Sequence, residues 1–245
     1  MPDDDSTRSW EAVAEDWVRH ADENDYHNAL LLPLTVGLAG DVRGLDVLDL
    51  GCGEGGYGRV LARRGGTVVG VDSSPSLVAV AQQRASEAGI AVQYFCANAT
   101  ALTPIASASF DVVVAAMLLM NVDDYPAAVA ESWRVLRPGG RLVMSITHPC
   151  FSAPVSKWVD TEYFAVDRYF DRVMREDYIT AQFRKPVLRR HRPLEDFMRP
   201  LLQRGFVLHS FDEPDGTKPD TQKTPRMARL QRIPYFLLMS WAKPR

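Results

Sequence analysis

The sequence predicts a doubly wound α/β fold: a mainly parallel sheet of about seven strands with helices on both faces. Three observations point there. Short apolar runs that read as buried strands alternate with amphipathic segments of helical period between residues 45 and 147. The first run, Asp46-Val-Leu-Asp-Leu50, breaks into glycines at 51, 53, 55 and 56 and then resumes as an amphipathic segment, the pattern of strand, tight loop and helix. The second run, Thr67-Val-Val-Gly-Val71, stops on an acidic residue, Asp72.

Taken in order, residues 6–20 place Trp10, Val13, Ala14 and Trp17 on one stripe of a helix, with two indoles on its apolar side. Leu30, Leu31, Leu34 and Leu38 predict a second helix over 28–39. The first strand is expected over 45–50 and the helix after the glycine loop over 57–64, ended by Gly65-Gly66. Ser73-Ser-Pro75 supplies a cap and a first-turn proline for a helix reaching 88. The third strand, 91–97, ends in Asn98-Ala99, and the fourth spans 110–116 with a helix over 123–136 behind it. Pro138-Gly-Gly140 turns the chain into a fifth strand, 141–147, which runs into His148-Pro-Cys-Phe151. From 152 to 192 the alternation lapses, and Trp158, Tyr163, Phe164, Tyr169, Phe170, Tyr178 and Phe183 crowd a charged segment suited to an amphipathic lid. A helix with a glycine stop at 205, strands over 206–211 and 233–241, and a Pro-, Lys- and Thr-rich mobile loop over 212–232 complete the chain.

The glycine loop leaves main-chain groups open to an extended ligand at a helix start. Gly51-x-Gly53-x-x-Gly56, with Asp72 closing the next strand, fits a dinucleotide as a pattern. Charge separates the candidates. Asp49 and Glu54 would repel a pyrophosphate unless neutralised. S-adenosyl-L-methionine, which carries a ribose diol, a sulfonium and an ammonium but no phosphate, suits an acidic glycine loop better. Here the chain also resembles a family. Val47-Leu-Asp-Leu-Gly-Cys-Gly53, Val69-Gly-Val-Asp72 and Leu136-Arg-Pro-Gly-Gly140 look like the successive signatures of class I S-adenosylmethionine-dependent methyltransferases, with the resemblance strong over 42–147. It implies a Rossmann-like sheet whose last strand is antiparallel.

On that resemblance, Asp49, Gly51, Cys52 and Gly53 form the cofactor loop, and Asp72 with Ser73 receives the ribose diol. Asn98-Ala99 stands where the family commonly has an acidic residue facing the adenine amino group; an asparagine carbonyl can accept the same bond. Ala115, Met117 and Leu118 form an apolar wall near the adenine or belong to plain core. Trp17 caps the methionine end and Tyr26-His27 sits at the acceptor mouth, unless these helices only pack on the sheet. The fifth strand delivers His148 to the carboxyl edge, where open α/β sheets bind ligands, so His148, Tyr26 and His27 are the candidate catalytic residues. The alternative for His148 is a structural role. Arg184, Lys185, Arg189, Arg190 and Arg192 could bind an anion, but strand alternation sends half of them outward, and a solvated face is expected.

The segment Ala115-Ala-Met-Leu-Leu-Met120 lacks the Asn/Asp-Pro-Pro-aromatic tetrad of enzymes that methylate nucleic-acid bases. Together with a net charge of −3, this disfavours nucleic acid as the partner. The His148 turn and the aromatic lid look like bacterial secondary-metabolite enzymes that methylate N, O or C of small aromatic or heterocyclic molecules. Three cysteines, no basic-apolar leader and no long apolar run predict a cytoplasmic protein outside the membrane. The five histidines show no metal-ligand spacing, so no metal is expected. The expected organisation is one domain, 1–245: a helical cap over 1–40, the cofactor half over 41–147, the lid over 148–192, and a final helix and strands over 193–245. A methyltransferase for RNA or protein, a nicotinamide oxidoreductase and a non-catalytic binding protein are the alternatives.

Overall fold

Strands buried on both faces need apolar side chains on every residue, and the middle of this chain supplies them. In a computed structural model that describes residues 4–103, 105–160, 162–216 and 227–245, they form a seven-stranded sheet. Its strands are β1 (Asp46–Leu50), β2 (Thr67–Asp72), β3 (Val92–Cys96), β4 (Phe110–Ala116), β5 (Leu136–Thr147), β10 (Val207–Asp212) and β11 (Phe236–Ala242), in the order β10-β11-β5-β4-β1-β2-β3. The first five run parallel, while β11 is antiparallel to β5 and to β10, as the resemblance implied. The order reverses between β1 and β4, which opens a crevice at their carboxyl ends, the place where such sheets bind ligands.

Helices α4 (Gly56–Arg63), α5 (Pro75–Glu87), α6 (Tyr125–Val135) and α7 (Leu194–Arg204) cover the sheet with α3 (Leu32–Ala39). One face buries Leu48, Leu50, Leu142, Met144 and Trp241 against α6 and α7; the other buries Val47, Val68, Val112 and Val143 against Tyr57 and Leu61 of α4 and Val36 of α3. Ser74 caps α5 through a bond from the Leu77 N–H (3.1 Å), and Gly205 ends α7 at φ 102°.

Two expected elements came out differently. The helix predicted over 6–20 is broken into α1 (Asp5–Glu11) and α2 (Ala14–Glu23), because Val13 leaves helical geometry at φ −118°, ψ 11° and turns its side chain into a buried cluster with Phe183 and Val187. Residues Tyr26–Leu31 wind as a π-helix ahead of α3. The irregular stretch after β5 contains two hairpins, β6 (Lys157–Val159) with β7 (Tyr163–Ala165) and β8 (Met174–Asp177) with β9 (Val187–Arg190). Much of the loop expected over 212–232 lies outside the described residues; Met227–Gln231 forms a short 3-10 turn. No described helix is long and apolar enough to cross a membrane.

Candidate active site

A cavity of about 410 Å³ opens at the switch point. Its floor is the glycine loop, and its walls come from β2, the ends of β3 and β4, α1, α2, the π-helix and the start of β11. The loop's own donors are already committed. Gly51 and Cys52 N–H donate to the Val71 carbonyl (2.7 and 3.0 Å), Gly53 N–H to Asp72 (2.9 Å) and Gly56 N–H to Glu54 (3.0 Å). The Gly56 N–H begins α4, where a pyrophosphate-binding loop would hold its anion; here the protein's own carboxylate fills that position. Glu54 is itself neutralised by Arg59 (2.8 Å) and Arg84 (2.9 Å), so it does not act as the free negative charge expected of it. What the cradle offers a ligand is the carboxylate of Asp72 and the side chain of Ser73, acceptors suited to a diol or an ammonium. These residues fit S-adenosylmethionine and not a dinucleotide.

Asp72 is anchored by N–H groups of Gly53 and Ser74 (both 2.9 Å). Burial nevertheless raises its pKa above the ordinary carboxylate value, against those N–H groups that lower it. Trp17 lies across the loop: a Cβ on Gly53, which has φ +54°, would stand 3.4 Å from its indole nitrogen. Trp10 packs edge-on to Trp17 at 5.5 Å. Glu11 accepts from the hydroxyls of Ser74 and Ser76 and so ties α1 down beside the start of α5. Cys52, Ala99 and Met117 also line the cavity. Met117, at φ +53°, is held there by its N–H to the Ser145 carbonyl (2.9 Å) and by Asn121 on its own carbonyl (3.1 Å).

Of the acceptor-side candidates, Tyr26 and His27 reach the cavity. His27 is 9% exposed, stacks edge-on to Tyr57 at 5.2 Å, and has no hydrogen bond to its ring nitrogens among the described residues. Burial lowers its pKa, with nearby Glu54 opposing, so the imidazole is neutral at pH 7 and able to take a proton. Phe236 opens β11 and pairs with Thr147 at the end of β5, and Tyr235 stands just ahead of it. The seven aromatic residues expected to close the pocket from the lid do not line it. Phe183 is buried with Val13, Trp158 bonds Tyr235, and Tyr163, Phe170 and Tyr178 are exposed. Among the described residues of that segment, only Ile179, Thr180 and Arg189 line the cavity.

Comparison with known proteins matches the geometry. The family described as a methyltransferase domain covers residues 48–144. A solved S-adenosylmethionine-dependent methyltransferase of Mesorhizobium loti is 27% identical and superposes with a TM-score of 0.77 over 90% of this chain and 99% of that one. Residues 48–144 are thus a methyltransferase domain, set in a fold like that of a solved S-adenosylmethionine-dependent methyltransferase. A ubiquinone biosynthesis O-methyltransferase of Pseudomonas fluorescens is 34% identical over 140 residues, 56% of this chain and 60% of that protein. An uncharacterized protein of Mycobacterium tuberculosis is 41% identical over 114 residues, 46% of this chain and 41% of its own. The chain thus spans less than two thirds of the length of these curated relatives.

Four expected site residues stand elsewhere or act otherwise. Ala115 is fully buried in the core, because strand alternation gives the cavity to its neighbour Ala116. Asp49 is 1% exposed beneath the loop, beside the backbone of Gly58, and does not line the cavity. Asn98 spends its carbonyl on the N–H and hydroxyl of Thr100 (2.9 and 2.8 Å), and its amide donates to Asp4 (2.7 Å). The acidic group beside the third strand's end is therefore Asp4, delivered by the cap of α1, which lines the cavity.

His148 is the fourth. It is 3% exposed and outside the cavity; Nδ1 accepts from the Cys150 N–H (3.2 Å), so Nε2 carries the proton and donates to Glu213 (2.7 Å). With both nitrogens engaged it caps the turn Pro149–Phe151 and has none left for an acceptor. His148→Ala is expected to cost roughly 2–4 kcal/mol of stability while turnover in the folded fraction stays near normal. Denaturant unfolding and single-preparation kinetics check this, and a stable variant with turnover down a hundredfold would restore His148 to the chemistry. Burial lowers its pKa first and Glu213 opposes, so its contribution to stability is present above about pH 6.5 and is lost as pH falls through the lower folded value.

Proposed function

We propose that this chain transfers the methyl group of S-adenosylmethionine to N, O or C of a small aromatic or heterocyclic molecule. The observation that carries this reading is the cavity itself: a cleft lined both by the acidic, phosphate-excluding glycine loop and by Tyr26, His27, Tyr57, Tyr235 and Phe236. Flat rings bury well against such walls, whereas a folded protein or duplex could not enter.

When bound, the cofactor would supply a methyl carbon activated by its sulfonium, with the neutral thioether of S-adenosylhomocysteine as the leaving group. The chain's residues supply the rest. Asp72 and Ser73 would hold its ribose, Asp4 beside Asn98 would face its adenine, and Trp17 with Trp10 covers the loop. Residues of α1 and α2 exclude water, and the aromatic wall orients the acceptor, a contribution of proximity more than of acid–base chemistry. Where the acceptor must lose a proton, neutral His27 takes it.

Two measurements test the reading. S-adenosylhomocysteine at about 100 times its dissociation constant should stabilise the protein by roughly 2.7 kcal/mol, visible as a melting shift, while NADH should give none. Labelled methyl groups should pass from S-adenosylmethionine into the small-molecule fraction of a bacterial extract. Label confined to precipitated RNA or protein would overturn the small-molecule assignment.

A further inference from the structure

The basic run near residue 190 was expected to be a solvated face, and most of it is spoken for. Arg184 bonds Asp16 (2.9 Å) and Glu15 (2.8 Å), Arg190 bonds Asp123 (2.7 Å), and Arg192 donates to the carbonyls of Met120, Val122 and Asp123. Arg189 differs. Alternation along β9 turns it inward, where it lines the cavity with Asn121 and Thr147 at the carboxyl ends of β4 and β5. Its side chain is 32% exposed, and among the described residues its guanidinium makes no hydrogen bond, only an ion pair to Asp177 at 3.9 Å. That carboxylate is shared with Arg175, itself at 3.6 Å, whose other guanidinium nitrogen donates to the Pro154 carbonyl (2.7 Å). Two guanidinium groups thus face one carboxylate, leaving one positive charge over at the acceptor side.

A half-desolvated guanidinium with five N–H donors and a single long ion pair is costly unless a ligand completes it. The planar fork matches a carboxylate in two parallel bonds, and a single excess charge balances a monoanion better than a phosphate dianion. The cavity thus carries both signs in its lining, the carboxylates of Asp4 and Asp72, which suit a cationic cofactor, and the Arg189 guanidinium, together with the rings of Tyr26, Tyr235 and Phe236. We propose that Arg189 anchors a carboxylate on the methyl acceptor, so that the substrate class is an aromatic or heteroaromatic acid held by its acid group while a distant N, O or C faces the methyl donor. This inference rests on the small-molecule reading above.

The test is calorimetry in saturating S-adenosylhomocysteine, with hydroxybenzoic, aminobenzoic, indole-carboxylic and imidazole-carboxylic acids each paired with its primary amide. At least one acid should bind the unaltered protein about tenfold or more tighter than its amide, the gap expected for one charge-assisted pair. Arg189→Gln should erase the gap, and Arg189→Lys, which keeps the charge but not the fork, should retain part of it. Affinity for S-adenosylhomocysteine should be unchanged in both, which also reports that they fold. No acid preferred over its amide, or a preference that survives Arg189→Gln, overturns the proposal. Acids and amides bound equally would do so while leaving the small-molecule reading intact; no binding by any compound, with label from S-adenosylmethionine entering RNA or protein, would remove both.

Discussion

Asp72→Ala is expected to weaken S-adenosylhomocysteine binding by about 10²–10⁴-fold, whereas Asn98→Ala should cost far less. Two charge-assisted bonds from a ribose diol are worth about 1.5–3 kcal/mol each, which sets that range. The structure adds a second reason. Asp72 also receives the N–H groups of Gly53 and Ser74, so its loss frees the loop on one side and the cap of α5 on the other. Asn98, by contrast, has its carbonyl on Thr100 and its amide on Asp4, so its removal leaves the Asp72 carboxylate and its anchoring N–H groups in place. Calorimetry on variants with checked melting temperatures compares the two directly. Equal losses would mean that Asp72 shapes the loop without touching the ligand, and the ribose would need another partner.

The central sheet was legible because its signals are local. Each parallel strand is an apolar run, and each loop at the carboxyl edge is written as glycine or a strand-ending Asp within a few residues. The site was legible only where it is built from those same loops. Asp4, Glu11 and Arg189 acquire their roles through what folding brings beside them, such as Asp4 with Asn98 and Glu11 with Ser74. No spacing rule reports such a contact. Glu54 shows the limit of counting charges: two arginines cancel it, yet its carboxylate still blocks phosphate by occupying the Gly56 N–H. His148 shows the limit of position, since arriving at the sheet's rim does not say on which side of the strand the ring lies. Tyr235 and Phe236 could have been read. An antiparallel last strand beside β5 must begin where β5 ends, and Phe236 pairs with Thr147.

The last expectation concerns Asp49, which the loop buries. At about pH 8, Asp49→Asn should stabilise the cofactor-free protein by roughly 2–4 kcal/mol. Asp49 is 1% exposed, one of its oxygens has no hydrogen-bond partner, and burial pushes its pKa up to about 7, with Glu54 and Asp72 adding to the rise and the Gly58 N–H and Arg59 opposing it. In the unfolded chain the same group titrates at about 3.9. A folded pKa above the unfolded one gives stability that is complete below about pH 4 and is lost as pH rises through about 7. Above that the buried carboxylate is ionised at a cost of roughly three pKa units, and asparagine removes the charge while keeping an acceptor for Gly58. The advantage of the variant should therefore open between about pH 4 and 7 and level off above. Taking the difference between two proteins at each pH cancels the opposite trend from His27, His148 and His191, whose pKa values burial lowers. Urea unfolding at a series of pH values supplies the curve. A difference that stays flat from about pH 5 to 8 would mean that Asp49 is already ionised throughout, with its charge balanced by Arg59 or by a water in the loop.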